Sequence, residues 1–133
     1  LLEQLPAGRV TYVVRGGAII NDALPSDAEE LGIAEFAEVI DNGDDAPGTL
    51  LEHCTPELGR RFAEADLVIA KGQGNFETLN DVPDKPDLLF LFRLKCDMVC
   101  RALQREKGLP MVLWRDELDA VDGKTLRPLS TCD

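Results

Sequence analysis

Five short apolar runs punctuate the chain, each bounded by glycine, proline or a cluster of polar residues. Val10-Thr11-Tyr12-Val13-Val14 is rich in β-branched side chains and enclosed by Gly8 and Gly16-Gly17. It is too short for a helix and predicts a buried strand. Ala37 to Ile40, stopped by Asp41-Asn42-Gly43-Asp44-Asp45, predicts a second strand, and Asp66 to Lys71, ended by Gly72-Gln73-Gly74, a third. Leu88 to Leu94 is apolar but for Arg93 and predicts the fourth; Met111 to Trp114 predicts the fifth.

The intervening segments carry helix signals. Ser26-Asp27-Ala28-Glu29 has the form of a capping box ahead of Leu31, and Thr55-Pro56-Glu57-Leu58 sets a cap, a first-turn proline and an acid before Phe62. Asp97 to Lys107 spaces Met98, Val99, Ala102 and Leu103 along one helical face and closes on Gly108 and Pro110. Strands alternating with helices predict crossover connections, hence an α/β fold with a mostly parallel sheet of about five strands. Asp41 to Gly48 is acidic and turn-rich but too short to separate domains. Asp116 to Asp133 is polar without period and predicts a surface strap or a frayed tail. The opening Leu1-Leu2-Glu3-Gln4-Leu5-Pro6 reads as the end of a helix that begins upstream, so residues 1–133 are expected to be a single α/β domain or the carboxyl-terminal part of a larger one.

Composition narrows the class of partner. A chain of 133 residues is one domain's worth, and with aromatics at 5% its core must be aliphatic. Lys and Arg total 14 against 25 Asp and Glu, a net charge of −11, which opposes binding to nucleic acid phosphates or to an anionic membrane. No apolar run approaches the roughly 18 to 20 residues that span a bilayer, and no basic, apolar signal opens the chain. The expectation is a soluble, cytoplasmic protein.

In an open parallel sheet, ligands bind beyond the carboxyl ends of the strands. The residues there are Arg15-Gly16-Gly17 through Asn21-Asp22, then Asp41 to Asp44, then Lys71-Gly72-Gln73-Gly74-Asn75, and more weakly Arg93 and Lys95. Lys71 followed by two glycines and Asn75 offers a point charge beside backbone that a phosphate can approach closely; the same spacing also serves a tight turn with a solvated lysine. Asp22 follows the apolar bend Ala18-Ile19-Ile20, which is expected to hold it near the sheet edge. A lone carboxylate there suits a hard cation such as Mg²⁺, or simply caps a turn. Asp41, Asp44 and Asp45 read as a solvated turn, although the backbone at Asn42-Gly43 can donate N–H groups to an anion. The cysteines, Cys54, Cys96, Cys100 and Cys132, form no pair of CxxC units, so neither structural zinc nor disulfides are expected. His53 has no evident nucleophile partner.

Taken together, these loops resemble the damage-control phosphatase family, formerly domain-of-unknown-function family eighty-nine. The resemblance rests on Val13 to Ala23, Asp66 to Leu79 and Leu94-Lys95-Cys96, in order and spacing from about Arg9 to Cys100. It implies a three-layer α/β/α core and metal-dependent removal of phosphate from small phosphometabolites, such as sugar phosphates and damaged cofactor precursors. It further implies that Asp22 ligates the metal (Mg²⁺, Mn²⁺, Co²⁺ or Ni²⁺) and that Lys71 holds the substrate phosphate and offsets charge in the transition state. Gly72, Gly74 and Asn75 would shape the phosphate pocket. Asn42-Gly43-Asp44 matches a family loop near the phosphate, with Asn42 where a hydroxyl residue is common, and Arg15 would help neutralise phosphoryl oxygens. The family's other metal ligands come from an Asp-Asn-x-Gly-Glu stretch that this sequence lacks. The implied picture is the carboxyl-terminal portion of a longer enzyme, weak in metal binding by itself and partnered by the upstream part of the same protein. Two other readings fit the residues: a module that binds a nucleotide or sugar phosphate without turnover, and a structural domain that completes a sheet begun elsewhere.

Overall fold

A computed structural model describes residues 1–6, 8–82 and 86–120, with side chains described up to residue 118. The chain divides into two compact units, one made of Leu1–Pro47 and Leu51–Arg60, the other of Gly48–Leu50 and the described residues from Arg61 onward.

The first unit opens with a 3₁₀ turn at Leu2–Gln4 and is built on two parallel strands, β1 (Thr11–Val14) and β2 (Glu38–Asp41), in register from Thr11 opposite Glu38 to Val14 opposite Asp41. Helix α1 (Pro25–Glu30) and a 3₁₀ turn (Ile33–Glu35) connect them. The helix begins two residues earlier than its capping signal implies, because Pro25 occupies the first turn and the Leu24 N–H donates to the Asp27 carboxylate at 2.7 Å. Val14, Ala28, Ala37 and Leu58 are this unit's buried apolar residues. Helix α2 (Pro56–Glu64) starts as its sequence predicts: Thr55 Oγ1 accepts the Leu58 N–H at 3.2 Å.

The second unit carries β3 (Leu67–Lys71), β4 (Asp87–Arg93) and β5 (Pro110–Trp114), in the spatial order β3-β4-β5. β3 and β4 are parallel, connected through α3 (Gln73–Leu79); β4 and β5 are antiparallel. Alternate residues of β4, Leu88, Phe90 and Phe92, are buried with Phe76 of α3, whose ring meets Phe90 edge-on at 5.2 Å and stacks on Phe92 at 4.6 Å. Leu79, Leu94, Val99, Leu103 and Leu113 are among the other residues of this core. Contrary to the expectation from composition, the second unit's core is therefore centred on three aromatic rings.

The α/β class holds, but the expected single, mostly parallel sheet of five strands does not: the described residues form one two-stranded and one three-stranded sheet, and the last pairing is antiparallel. The cause lies after β4. The helix expected over 97–107 is α4 (Asp97–Ala102), six residues long, and it stops where Gln104 enters the left-handed region at φ 51°. There the N–H of Gln104 donates to Arg101 and that of Arg105 to Cys100, the two bonds of a Schellman motif formed without glycine. The chain then turns back onto β4. Gly108 N–H donates to the Leu94 carbonyl at 2.8 Å and Leu94 N–H to Leu109 at 3.0 Å, so the segment returns to the end of β4 it has just left and runs antiparallel to it. The expected strap at Asp116 to Asp133 is also corrected at its start, because Arg115–Ala120 form helix α5, with the Glu117 carboxylate accepting the Trp114 N–H at 2.9 Å. Residues 121–133, including Cys132, lie outside the described residues.

Candidate functional site

Arg15 leaves β1 with its N–H donated to the Ala23 carbonyl at 2.9 Å, which folds residues 16–22 into a closed excursion. Its Nε lies 2.9 Å from Asp22 Oδ2. Arg15 is only 7% exposed, whereas the Asp22 side chain is 43% exposed. The apolar bend expected to anchor Asp22 is not buried: Ala18 is exposed and Ile20 is 88% exposed, with a positive φ of 49° that a β-branched residue adopts only under strain. What holds the carboxylate is the arginine, together with a turn bond from Asp22 N–H to the Ile19 carbonyl at 3.0 Å.

Asn42 sits just beyond β2 and is 1% exposed. Its Oδ1 accepts the Gly16 N–H at 2.8 Å and the Asp44 N–H at 3.1 Å, so one side chain ties the loop after β1 to the loop after β2. The backbone of the two loops is equally close. A Cβ on Gly16 would stand 2.5 Å from Gly43 Cα, and Gly43 itself requires glycine dihedrals at φ 75°. The Gly43 N–H donates to Asp41 Oδ1 at 2.9 Å, so an anion can take that amide only by displacing an existing acceptor. Asp44 departs from the solvated turn that its sequence context implies. Its side chain is 13% exposed, and Oδ2 is buried without a hydrogen-bond partner among the described residues, 3.9 Å from His53 Nδ1. Burial, and next the Asp44 carboxylate, push the Cys54 thiol above its ordinary value, with Arg15 opposing them. Nothing in the local sequence distinguishes Asp44 from Asp41 or Asp45; its burial follows from the long-range closure of the loop on Gly16 and Gly17, whose N–H groups both donate to the Asp44 carbonyl.

In the second unit, Lys71 ends β3 with an exposed side chain. Gly72 precedes α3 with φ 106°, and its N–H donates to the Leu91 carbonyl of β4 at 2.9 Å. Gly74 and Asn75, expected in a loop, instead belong to the first turn of α3, where glycine is tolerated because the turn is fixed by side-chain bonds. Asn75 Nδ2 donates to the Lys71 carbonyl at 2.8 Å, and its Oδ1 accepts from Thr49 Oγ1 at 2.8 Å. Gln73 Oε1 accepts the N–H of Lys95 at 2.7 Å, which links this turn to the segment after β4. Gln73 and Thr49 were not singled out by the sequence; their partners lie 22 and 26 residues away, beyond the reach of local pattern.

The two units thus bring together Arg15, Asp22, Asn42 and Gly43 in one, and Lys71, Gly72, Gly74 and Asn75 in the other. Among the described residues there is no cluster of three or more His, Cys, Asp or Glu side chains able to hold a metal ion. Asp22 offers a single carboxylate, already shared with Arg15, so these residues do not constitute a metal site by themselves.

Residues 1–109 match the damage-control phosphatase ARMT1-like domain, over four fifths of the chain. The chain belongs to this family. Its curated relatives include an uncharacterized protein of Methanocaldococcus jannaschii, 39% identical over 108 residues that make up 80% of this chain and 36% of that one. A damage-control phosphatase of Pyrococcus horikoshii is 36% identical over 107 residues, 80% of this chain and 37% of the relative. One from Archaeoglobus fulgidus is 39% identical over 94 residues, 70% and 32% respectively. The crystal structure of a DUF89 family protein from Pyrococcus horikoshii superposes with a TM-score of 0.75 at 36% identity, covering 80% of this chain and 37% of that one. The resemblance read from the loop motifs is therefore correct at the level of family, and every candidate residue from Arg15 to Asn75 lies inside the matched range. The chain spans about a third of the length of these damage-control phosphatase family relatives. Among the described residues, no helix is long and apolar enough to cross a membrane.

Proposed function

We propose that the full-length protein is a metal-dependent phosphatase that hydrolyses small phosphometabolites, sugar phosphates or damaged phosphorylated metabolites, in the cytoplasm. The observation that carries this reading is the family match over residues 1–109, which takes in both the Arg15 to Asp22 excursion and the Lys71 to Asn75 turn. In it, Asp22 is one ligand of a divalent cation (Mg²⁺, Mn²⁺, Co²⁺ or Ni²⁺), with the remaining donors supplied by the part of the protein that the relatives carry beyond the matched third. Arg15 is assigned to the phosphate-binding set, and the 2.9 Å contact of its Nε with Asp22 also helps to place that carboxylate. Lys71 supplies an exposed ammonium that neutralises the phosphoryl oxygens and, as charge builds on them, favours the transition state. Gly72 and Gly74 let backbone approach the phosphate, and Asn75 fixes the turn that carries Lys71. Asn42 and Gly43 are assigned to the phosphate-binding set as well, Asn42 tying the loop after β2 to the loop after β1. With a net charge of −11, the chain repels nucleic acid and anionic membrane, and a local cation is what lets an anionic metabolite approach.

Hydrolysis of p-nitrophenyl phosphate by the full-length protein with each metal in turn, beside its Asp22→Ala and Lys71→Ala variants, tests the proposal. Metal-dependent turnover that falls by two or more orders of magnitude in both variants is the expected result. Turnover indifferent to Asp22→Ala removes Asp22 from the ligand set. No turnover with any metal, while inorganic phosphate still binds through Lys71, turns the reading into a phosphate-binding module.

A further inference from the structure

The turn that carries Lys71 is not held by its own backbone alone. A two-residue segment distant in sequence, Gly48-Thr49, is clamped onto it by four linked hydrogen bonds and a close backbone approach. Thr49 Oγ1 donates to Asn75 Oδ1 at 2.8 Å, and Asn75 Nδ2 in turn donates to the Lys71 carbonyl at 2.8 Å. The Thr49 N–H donates to Thr78 Oγ1 at 2.8 Å, and that hydroxyl donates to the Gly74 carbonyl at 3.0 Å. Gly48 lies so close that a Cβ there would stand 2.5 Å from the Gly74 oxygen.

The direction of the first two bonds matters. A carboxamide has one accepting and one donating end, and reversing it turns each acceptor into a donor. The Lys71 carbonyl can only accept, so it demands the amino end of Asn75. The Thr49 hydroxyl satisfies the opposite end by donating to it, and the two contacts together leave a single orientation of the Asn75 side chain. A valine at 49 would keep the shape and remove the donor, so the carboxamide oxygen would lose this bond and the orientation that presents the amino end to Lys71 would be less strongly favoured.

We propose that Thr49 is a positioning residue for the Lys71 turn: through the Asn75 carboxamide it fixes the carbonyl of Lys71, and so the backbone from which the lysine reaches its anion. The proposal rests on the reading of Lys71 as the phosphate-binding cation. It places a requirement on a residue that does not touch substrate, and it fits the grouping of Gly48–Leu50 with the second unit although Pro47 and Leu51 on either side belong to the first.

The test uses the full-length protein with ¹⁵N-labelled asparagine and its Thr49→Val and Thr49→Ser variants, Thr49→Ala standing in should the valine variant fail to fold. Two readouts are taken: solvent-exchange protection of the Asn75 side-chain amide, and the dissociation constant of inorganic phosphate. In Thr49→Val the amide loses protection and phosphate binds about tenfold more weakly, the loss of roughly one hydrogen bond, with a matching rise in KM for p-nitrophenyl phosphate and a smaller change in kcat; Thr49→Ser restores both readouts. An Asn75 amide that stays protected in Thr49→Val overturns the proposal, as does an amide that loses protection while phosphate affinity holds. Equal losses in the serine and valine variants also overturn it, since they would point to packing and not to the hydroxyl. Phosphate binding that survives Lys71→Ala unchanged refutes the functional reading of the turn, and the Thr49 proposal falls with it; the amide protection then still separates the two failures.

Discussion

Arg15 Nε lies 2.9 Å from Asp22 Oδ2, an ion pair with its cation almost wholly buried and its carboxylate reaching solvent. Removing the carboxylate therefore takes one ion-pair partner from a buried guanidinium. Asp22→Ala should destabilise the first unit by about 1–3 kcal/mol, less than the cost of breaking a fully buried pair because one partner is solvated. Asp22→Asn keeps an oxygen for Arg15 and should unfold close to the wild type. If Asp22 is also a metal ligand, both variants lose metal-dependent turnover, and only the alanine variant loses stability as well. Thermal unfolding of the two variants beside their activity separates the roles, and an asparagine variant as destabilised as the alanine one would contradict this account of the pair.

Ile20 adopts φ 49° with 88% of its surface exposed, so it bears the steric penalty of the left-handed region with little burial to offset it. Asparagine tolerates that region. Ile20→Asn should stabilise the protein by about 0.5–1 kcal/mol, seen as a higher denaturant midpoint at unchanged slope. A lower midpoint would mean that the isoleucine is covered in the full-length protein.

Gly48 and Gly72 both have positive φ, at 89° and 106°, but they differ in surroundings. A Cβ on Gly48 would meet the Gly74 oxygen at 2.5 Å and Thr78 Cγ2 at 2.7 Å, while one on Gly72 meets nothing within 4 Å. Gly72→Ala should cost only the backbone strain, about 1–2 kcal/mol, and Gly48→Ala clearly more, because overpacking adds to the same strain. Urea denaturation of the two variants checks the order, and equal losses would show that the Gly48 segment yields easily.

Cys54 gives a pH signature. Burial raises its thiol above the ordinary 9.0, with Asp44 adding to the shift. Below pH 9.0 both the folded and unfolded thiols hold their protons, and the contribution to stability is fully present. As pH rises beyond that value the unfolded thiol ionises first, so stability falls until the folded pKa is passed. The denaturant midpoint of the wild type should therefore decline between pH 8.5 and 10.5 more steeply than that of Cys54→Ala. Parallel curves would remove Cys54 as the cause.

Much of the architecture is legible locally. The strand seen at Glu38–Asp41 is displaced by one residue from the run Ala37 to Ile40, and Asp87–Arg93 by one from Leu88 to Leu94. Thr55 announces α2 because a cap acts across three residues, within reach of pattern. The antiparallel return of β5 was hidden because its reversal depends on Gln104 in a conformation that usually signals itself through glycine. At the candidate site, the family motifs pointed to Arg15, Asp22 and Lys71, and Arg15 and Asp22 hold each other locally, but the bonds that tie their loops and the Lys71 turn to the rest of each unit come from far along the chain. Asn42 is buried by its bond to Gly16, 26 residues away, and Asn75 is oriented by Thr49, also 26 residues away. Such bonds depend on topology, and a residue's immediate neighbours carry no trace of them.

The clasp of Leu94 by Gly108 and Leu109 has a kinetic consequence. It closes the β4 to β5 connection with contacts 14 and 15 residues apart, whereas the β4–β5 ladder itself spans separations of 17 to 25 and every β3–β4 pair is 20 apart, so the clasp and not the ladder is the more local contact. Either ladder leaves Phe90 and Phe92 aligned on one face of β4, where Phe76 of α3 meets them. The turn bearing Lys71 is tied to β4 by the Gly72 N–H bond to the Leu91 carbonyl, so the segment assigned to phosphate chemistry is complete only once β3 has docked on β4.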